Sequence, residues 1–153
     1  MTEIQKAEFK SGHRILIIED DADMNRLLHE ILVENGYSCI SALDGTTGLE
    51  HLKKNRPDLV LLDYSLPDKN GSRVCNEINA DTSTRGLPVI MISAHNNLSN
   101  RLSSFMSGVR RFITKPFSME ELLEEIAVQL ASQPPAVKKL LLSEASVVQN
   151  KLY

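Results

Sequence analysis

Four apolar runs in this chain are each followed by side chains that could carry out chemistry. These side chains are Glu19 and Asp20, Asp63, Ser93, and Lys115. Carboxylate oxygens are hard ligands that suit Mg²⁺. A carboxylate held between a cation and an ammonium group stays ionised, so it is a poor proton donor but can act as a nucleophile. The set indicates Mg²⁺-dependent attack of Asp63 on a phosphoryl group, whose oxygens would be neutralised by Lys115 and would accept a hydrogen bond from Ser93.

Each of these residues also has an ordinary structural role when it is taken alone. An acidic cluster can lie on a solvated loop, an Asp after a strand can begin a turn, and a Ser or Lys can simply face solvent. Their common position at the ends of apolar runs favours one joint site. The carboxyl ends of parallel strands share one edge of a sheet, and ligands bind there in open α/β folds.

The pattern of the chain predicts the elements that would bring these residues together. Five apolar runs alternate with five segments of helical periodicity, which is typical of a parallel sheet covered on both faces. The predicted strands are 14–18, 37–42, 57–63, 87–92 and 111–114. The predicted helices are about 22–35, 44–54, from 72 to beyond 78, 96–106 and 118–131.

Capping residues mark the starts of several predicted helices. Asp21 or Asp23 is expected to cap the first helix, and Ser72 is expected to cap the third. Ser118 and Glu121 have the spacing of a capping box at the start of the fifth.

The fourth predicted helix differs from the others in composition. Its apolar residues Leu98, Leu102, Phe105 and Met106 are spaced along a helix, and we expect them to face the core. Serines and asparagines fill many of the remaining positions, and these residues have low helix propensity. This segment is therefore the part of the chain that we expect to move most readily.

Length, composition and charge limit the classes of protein that fit. A chain of 153 residues with 42% hydrophobic content can form one domain with a real core. The net charge of −3 lacks the basic surplus of nucleic-acid-binding domains, so we expect no nucleic acid to bind this chain. Cys39 and Cys75 lack metal-ligand spacing and are expected to be reduced thiols. No eighteen consecutive residues are apolar, so we expect a soluble, cytoplasmic protein without a membrane partner.

Four motifs together resemble the receiver domain of two-component response regulators. They are Ile-Ile-Glu-Asp-Asp, Leu-Leu-Asp-Tyr-Ser-Leu-Pro-Asp-Lys-Asn-Gly, Met-Ile-Ser-Ala and Thr-Lys-Pro-Phe. The resemblance covers residues 13–131 and implies a flavodoxin-like, doubly wound sheet with strand order 2-1-3-4-5. Residues 1–12 are then an expected mobile lead-in, and 132–153 an expected linker and short helix, which could begin a longer output region.

The resemblance also implies a role for each residue of the expected site. Asp63 would be the phosphoacceptor. Glu19 and Asp20 would hold Mg²⁺ together with Asp63 and the backbone carbonyl of Ser65. Lys115 matches the lysine of the family's site, and Pro116 matches a proline that the family typically joins through a cis peptide bond.

Three further positions match the switch and the tuning positions of the family. Ser93 matches the switch hydroxyl and Phe112 the switch aromatic, which together would remodel the surface of the fourth helix, fifth strand and fifth helix. An ordinary core aromatic is an equally good interpretation of Phe112. Ser65 and His95 match positions that tune dephosphorylation, although a solvated loop residue is the plainer interpretation of His95.

The leading interpretation is a phosphorylation-controlled signalling switch. Its phosphodonor would be a sensor histidine kinase or a histidine phosphotransfer protein, and its target an output domain or protein. Slow self-dephosphorylation is expected, but not multiple turnover of an external substrate. A homodimer is a further candidate. Arg110 and Arg111 stand where winged-helix relatives often place acids, so we expect them to meet glutamates of a neighbouring chain instead.

Two other functions remain open from the residues alone. One is a phosphorylation-independent protein-binding module, although every site position holds a chemically competent residue. The other is a Mg²⁺-dependent phosphatase or phosphotransferase of similar topology. Ser65 stands where such an enzyme would place a second acid, two residues after Asp63, so no general acid is evident. Nucleotide or flavin binding on a flavodoxin-like sheet is a weaker alternative.

Overall fold

Five parallel strands form one sheet in the computed structural model, which describes residues 12–94 and 97–131. The strands are β1 Arg14–Ile18, β2 Ser38–Ala42, β3 Leu59–Asp63, β4 Val89–Ser93 and β5 Arg111–Thr114. The helices are α1 Ala22–Glu34, α2 Gly45–Asn55, α3 Gly71–Ala80, α4 Leu98–Met106 and α5 Met119–Leu130. The spatial order is β2-β1-β3-β4-β5, which confirms the predicted flavodoxin-like sheet with order 2-1-3-4-5.

Successive side chains of each strand point into two separate cores, as the pleat of a strand requires. Ile15 and Ile17 of β1 belong to the core that α1 and α5 cover. Leu16 and Ile18 belong to the opposite core, which α2 and α3 cover. Because both faces are covered, β3 and β4 are buried along their whole length. Each strand end is thus held by backbone hydrogen bonds to neighbouring strands and by side-chain packing on both faces of the sheet.

Three of the expectations fall on residues outside the described ranges. They concern the predicted lead-in up to residue 11, His95, and the predicted linker and helix at 132–153. Of the described helices, none is both long enough and apolar enough to cross a membrane.

Capping is as predicted at two helices and different at a third. The carboxylate of Asp21 accepts two amide hydrogen bonds at the start of α1, and the hydroxyl of Ser118 accepts one from the Glu121 amide at the start of α5. The prediction that Ser72 caps the third helix is wrong. Asn70 is the cap, and its side chain accepts from the amide of Arg73 at 2.9 Å.

A close approach of backbone segments explains why the cap is Asn70. The amide of Gly71 donates to the carbonyl of Tyr64 at 2.7 Å, so the chain enters α3 directly against the end of β3. A Cβ on Gly71 would lie 2.7 Å from the carbonyl oxygen of Asp63, which is too close for any other residue. Ser72 then falls inside α3 and is buried toward α4.

The expectation that the apolar residues of α4 face the core is wrong. Leu98, Leu102, Phe105 and Met106 are 72%, 53%, 45% and 88% exposed. No residue of α4, all of which is described, belongs to either apolar core. The helix instead buries Ser104.

Hydrogen bonds, rather than apolar packing, seat α4 on the rest of the fold. The hydroxyl of Ser104 lies 3.1 Å from the sulfur of Met91 in β4 and 3.4 Å from the hydroxyl of Ser72 in α3. It also donates to the carbonyl of Asn100 within α4 at 2.8 Å. The side-chain amide of Asn79 in α3 donates to the carbonyl of Ser107 at 2.6 Å. Small hydroxyls satisfied in this way can be buried without an unpaired polar group, so the polar face of α4 can turn inward.

Candidate phosphoacceptor site

The sheet brings the carboxyl ends of β1, β3, β4 and β5 to one edge. β3 lies between β1 and β4, and Asp63 is in register with Ile92. Ser93 in turn is in register with Thr114 of β5. The amide of Lys115 donates to the carbonyl of Ser93 at 2.9 Å, so the lysine leaves β5 directly beside the end of β4.

Lys115 connects two buried carboxylates from different strands. Its ammonium group donates to Oε1 of Glu19 at 2.8 Å and to Oδ2 of Asp63 at 3.2 Å. Glu19 is 3% exposed and Asp63 is 8% exposed. Carboxylates so deeply buried need a positive partner, because the loss of hydration is otherwise too costly. Residues 96 and 52 positions apart along the chain therefore form one electrostatic unit.

Burial and the mutual interactions of these three groups shift the pKa values of Glu19 and Lys115. Burial raises the pKa of Glu19 above its ordinary value, the hydrogen bond and charge of Asp63 raise it further, and the interaction with Lys115 only partly opposes this rise. Burial would lower the pKa of Lys115, but its hydrogen bond to Glu19 and the charges of both acids raise it overall. The lysine is therefore fully charged, and further positive charge would favour the ionised form of Glu19.

Glu19, Asp20 and Asp63 could together hold a metal ion. One potential ligand atom from each lies within 4.8 Å of the others. Oε2 of Glu19 is buried and has no hydrogen-bond partner among the described residues, while Asp20 is exposed beside it. Mg²⁺ prefers oxygen ligands and keeps several waters, which suits a set with one open, solvated side. The residues present thus fit the expected Mg²⁺ ion.

The loop after β3 begins with contacts to the expected phosphoacceptor. The backbone amide of Ser65 donates to Oδ1 of Asp63 at 3.1 Å, and the Ser65 side chain is exposed. The site is further lined by apolar side chains of Met24, Leu28 and Phe117. Asp63 therefore stands between the half-buried Lys115 on one oxygen and the loop amide of Ser65 on the other.

The two expected switch residues lie on neighbouring strands. The Ser93 side chain is fully buried at the end of β4. Phe112 of β5 is half-buried against the core that α2 and α3 cover. The guanidinium of Arg101 in α4 lies over the Phe112 ring, 5.7 Å from its centroid. The peptide bond between Lys115 and Pro116 is cis.

Two contacts around the site are absent from the expectations based on sequence. Nothing in the sequence indicates that Arg101, a helix residue, covers the ring of Phe112. The hydroxyl of Tyr64 lies 3.4 Å from Oδ1 of Asn100, which links the residue after Asp63 to α4. The position of Tyr64 next to Asp63 is a signal that could have drawn attention to it.

The arginines near β5 have partners inside the chain. Arg111 donates to Oε1 of Glu125 in α5 at 2.8 Å. Arg110 donates to the carbonyl of Gly86, also at 2.8 Å. Both guanidinium groups thus have partners within the chain, and the expectation that they meet glutamates of a neighbouring chain stays a prediction.

Comparison with known proteins gives a consistent result. A protein-family match with the description "Response regulator receiver domain" covers residues 15–127. The phosphate regulon transcriptional regulatory protein PhoB of Escherichia coli K12 is 33% identical over 131 residues, covering 85% of this chain and 57% of PhoB. The DNA-binding dual master transcriptional regulator RpaA of Synechocystis is 36% identical over 117 residues, covering 76% of this chain and 48% of RpaA.

A solved structure agrees with these relatives. The CheY-like response regulator receiver domain protein of Methanospirillum hungatei superposes with a TM-score of 0.75 at 30% identity. The match covers 79% of this chain and 95% of that protein. By contrast, the chain spans about half the length of the curated relatives PhoB and RpaA.

Proposed function

This chain belongs to the response regulator receiver domain family, and from that premise we propose that it is a switch controlled by phosphorylation of Asp63. Receiver domains are signalling switches and not multiple-turnover enzymes. The observation that supports Asp63 as the acceptor is its hydrogen bond to Lys115, which also holds Glu19 at the same sheet edge. A buried carboxylate beside a fixed ammonium group is a suitable nucleophile for phosphoryl transfer.

The proposed reaction forms an acyl phosphate on the Asp63 side chain. The phosphodonor is a phosphohistidine of a sensor histidine kinase or a histidine phosphotransfer protein. Its P–N bond breaks, an O–P bond forms to Asp63, and the imidazole nitrogen keeps the electron pair of the broken bond. Lys115 stabilises the negative charge on the transferred phosphoryl oxygens, and Ser93 donates its hydroxyl hydrogen to one of them.

Glu19, Asp20, Asp63 and the backbone carbonyl of Ser65 would hold Mg²⁺ in this site. When bound, the ion supplies positive charge that neutralises phosphoryl oxygens. Glu19 binds a cation only as a carboxylate, so its raised pKa makes protons compete with the metal. The exposed Asp20 leaves one side of the site open to water and to the phosphodonor.

The proposed output surface consists of α4, β5 and α5. It carries the exposed apolar side chains of α4, a type of surface that often marks an interaction site. When Ser93 moves toward the phosphoryl group, Phe112 turns into the space that it leaves, and the contact with Arg101 changes. This would alter the α4 surface that an output domain, an output protein or a second copy of the chain contacts in the cytoplasm.

Intact mass after incubation with acetyl phosphate tests this proposal. We expect one phosphoryl adduct on the wild type in the presence of Mg²⁺ and none in its absence. Asp63→Asn keeps the shape of the side chain but is a far weaker nucleophile, so it should carry no adduct. A folded wild type that binds Mg²⁺ and yet takes up no phosphoryl group would contradict the proposal and favour a phosphorylation-independent binding module.

A further inference from the structure

Asp68 joins the loop between β3 and α3 to the N-terminus of α2. Its Oδ1 accepts the amide of Gly45 at 2.9 Å. Its Oδ2 accepts the amide of Thr46 at 2.8 Å and the hydroxyl of Thr46 at 2.6 Å. The hydroxyl of Thr46 and then the two backbone amides lower the pKa of Asp68, so the carboxylate is ionised at neutral pH. A carboxylate at this helix end is also favoured by the helix dipole.

The neighbouring residue closes the same junction. A Cβ on Gly45 would lie 2.8 Å from Cγ of Lys69 and 2.9 Å from Cγ2 of Val74, so only glycine allows this approach. The ammonium group of Lys69 forms an ion pair with Glu77 of α3 at 3.1 Å. The loop is therefore packed between α2 and α3 at the point where Asp68 makes its hydrogen bonds.

This loop is also the one that begins at the phosphoacceptor. The amide of Ser65 donates to Oδ1 of Asp63 at 3.1 Å, and the amide of Gly71 donates to the carbonyl of Tyr64 at 2.7 Å. These bonds fix the two ends of the loop, while Asp68 ties its middle to another helix. A backbone carbonyl in a short loop is a useful metal ligand only when the loop holds one conformation.

We propose that Asp68 is a positioning residue of the phosphoacceptor site. By holding the β3–α3 loop on the N-terminus of α2, it fixes the backbone of Ser65, whose amide contacts Asp63 and whose carbonyl is the proposed Mg²⁺ ligand. The inference rests on the function proposed above. It adds that Mg²⁺ affinity depends on a carboxylate outside the metal-binding set, through contacts 22 and 23 residues apart in sequence.

Asp44 provides a matched control at the same helix end. Its carboxylate accepts the amide of Thr47 at 2.7 Å and the hydroxyl of Thr47 at 3.0 Å. Asp44 and Asp68 each satisfy groups in the first turn of α2, but Asp44 does so from the adjacent position, whereas Asp68 does so from the loop. Asp44→Ala therefore weakens the start of α2 but leaves the loop attached. Asp68→Ala weakens the start of α2 and also releases the loop.

The first test is Mg²⁺ titration by calorimetry, without a phosphodonor, at a temperature where circular dichroism shows every variant to be folded. Asp68→Ala should bind Mg²⁺ about tenfold more weakly than the wild type, which is typical when a partner that orients a metal ligand is lost. Asp44→Ala should bind like the wild type. Thr46→Val removes only the hydroxyl contact to Asp68, so it should weaken Mg²⁺ binding by a smaller factor. This milder variant keeps the test available if Asp68→Ala does not fold.

A second test follows amide hydrogen exchange without Mg²⁺ or phosphodonor. Release of the loop should speed exchange at Ser65 and Gly71 in Asp68→Ala, and to a lesser degree in Thr46→Val. Asp44→Ala should speed exchange at Thr47 and leave Ser65 and Gly71 unchanged. This readout separates an ordered loop from a generally weaker fold, because a general loss of stability would affect all these amides together.

Two results would overturn the inference while leaving the proposed function intact. One is that Asp68→Ala and Thr46→Val bind Mg²⁺ as tightly as the wild type does, while the wild type takes up a phosphoryl group. The other is an equal loss of affinity in Asp68→Ala and Asp44→Ala, which would reduce Asp68 to a helix cap. A folded wild type that binds no Mg²⁺ would instead overturn the proposed function, and this inference with it.

Discussion

The strand ends and helix α4 are held in place by two different kinds of interaction. Glu19, Asp63 and Ser93 extend from strands that are buried on both faces and hydrogen-bonded to neighbours. Helix α4 contributes no side chain to either apolar core, and polar contacts of Ser104 with β4 and of Asn79 in α3 with the Ser107 carbonyl hold it in place. Because α4 buries no apolar side chain of its own, its displacement costs less than displacement of a strand. The difference indicates that the site at the strand ends is fixed, whereas the neighbouring helix α4 can move.

Truncating a leucine in each region should give the largest contrast in stability. Leu61 of β3 is 1% exposed, so Leu61→Ala should lower the free energy of unfolding by about 3 kcal/mol. Leu102 of α4 is more than half exposed, so Leu102→Ala should change it by less than about 0.5 kcal/mol. Urea unfolding measures both. Equal losses would show that α4 is as firmly packed as the sheet.

Lys115→Ala should separate chemistry from folding at the fixed site. The loss of one positioned charge should slow phosphoryl uptake from acetyl phosphate about a hundredfold, as measured by intact mass at timed intervals. The protein should stay folded, because the pKa of Glu19 is already raised and loss of Lys115 would raise it further, so this buried acid can be neutral. Lys54→Ala, which alters an exposed lysine of α2, is the control and should react like the wild type. A rate equal to that of the wild type would remove Lys115 from the mechanism.

Asn79→Ala should loosen α4 alone. The substitution removes the hydrogen bond that the Asn79 side-chain amide donates to the Ser107 carbonyl. Loss of this bond costs about 1 kcal/mol, which would speed exchange of the α4 amides about fivefold. Amides of β1 and α5 should be unaffected. Asn76→Ala is the control, because Asn76 is an exposed residue of α3, the helix that carries Asn79. It should change exchange neither in α4 nor in β1 and α5. Faster exchange throughout the chain would mean that α4 does not open independently.

Arg101→Gln should have the smallest effect on the resting protein. A cation held over an aromatic ring at an exposed site contributes about 0.5–1 kcal/mol, and the substitution removes it. Arg73→Gln on α3 is the matched exposed control. Urea unfolding compares the two. A loss no greater than that of the control would show that Arg101 does not hold Phe112.

The sheet and the convergence of its strand ends could be predicted from the sequence. Short apolar runs that end in polar residues are typical of strands buried on both faces, and parallel strands necessarily share an edge. The expectation that Glu19, Asp63 and Lys115 would meet therefore needed no knowledge of their contacts. Their roles, and those of Ser93 and Phe112, stay proposals.

The direction in which α4 faces could not be predicted in the same way. Helical spacing shows that Leu102 and Phe105 share a face, but not whether that face meets the core or the solvent. Burial of Ser104 depends on partners in α3 and β4 that are distant in sequence. The same limit applies to Asp68, whose partners in α2 lie 22 and 23 residues away. At α3, the close approach of Gly71 to β3 places the cap at Asn70 and not at the predicted Ser72.

Amide hydrogen exchange across the whole chain, before and after phosphorylation, tests the central claim most directly. Wild type and Asp63→Asn would be incubated with acetyl phosphate and Mg²⁺, and the adduct would be verified by intact mass. We predict altered exchange in α4 and β5 of the phosphorylated wild type, unchanged exchange in β1 and α1, and no change in Asp63→Asn. A wild type that carries the phosphoryl group but shows unchanged exchange in α4 would contradict the coupling of a fixed site to a movable helix.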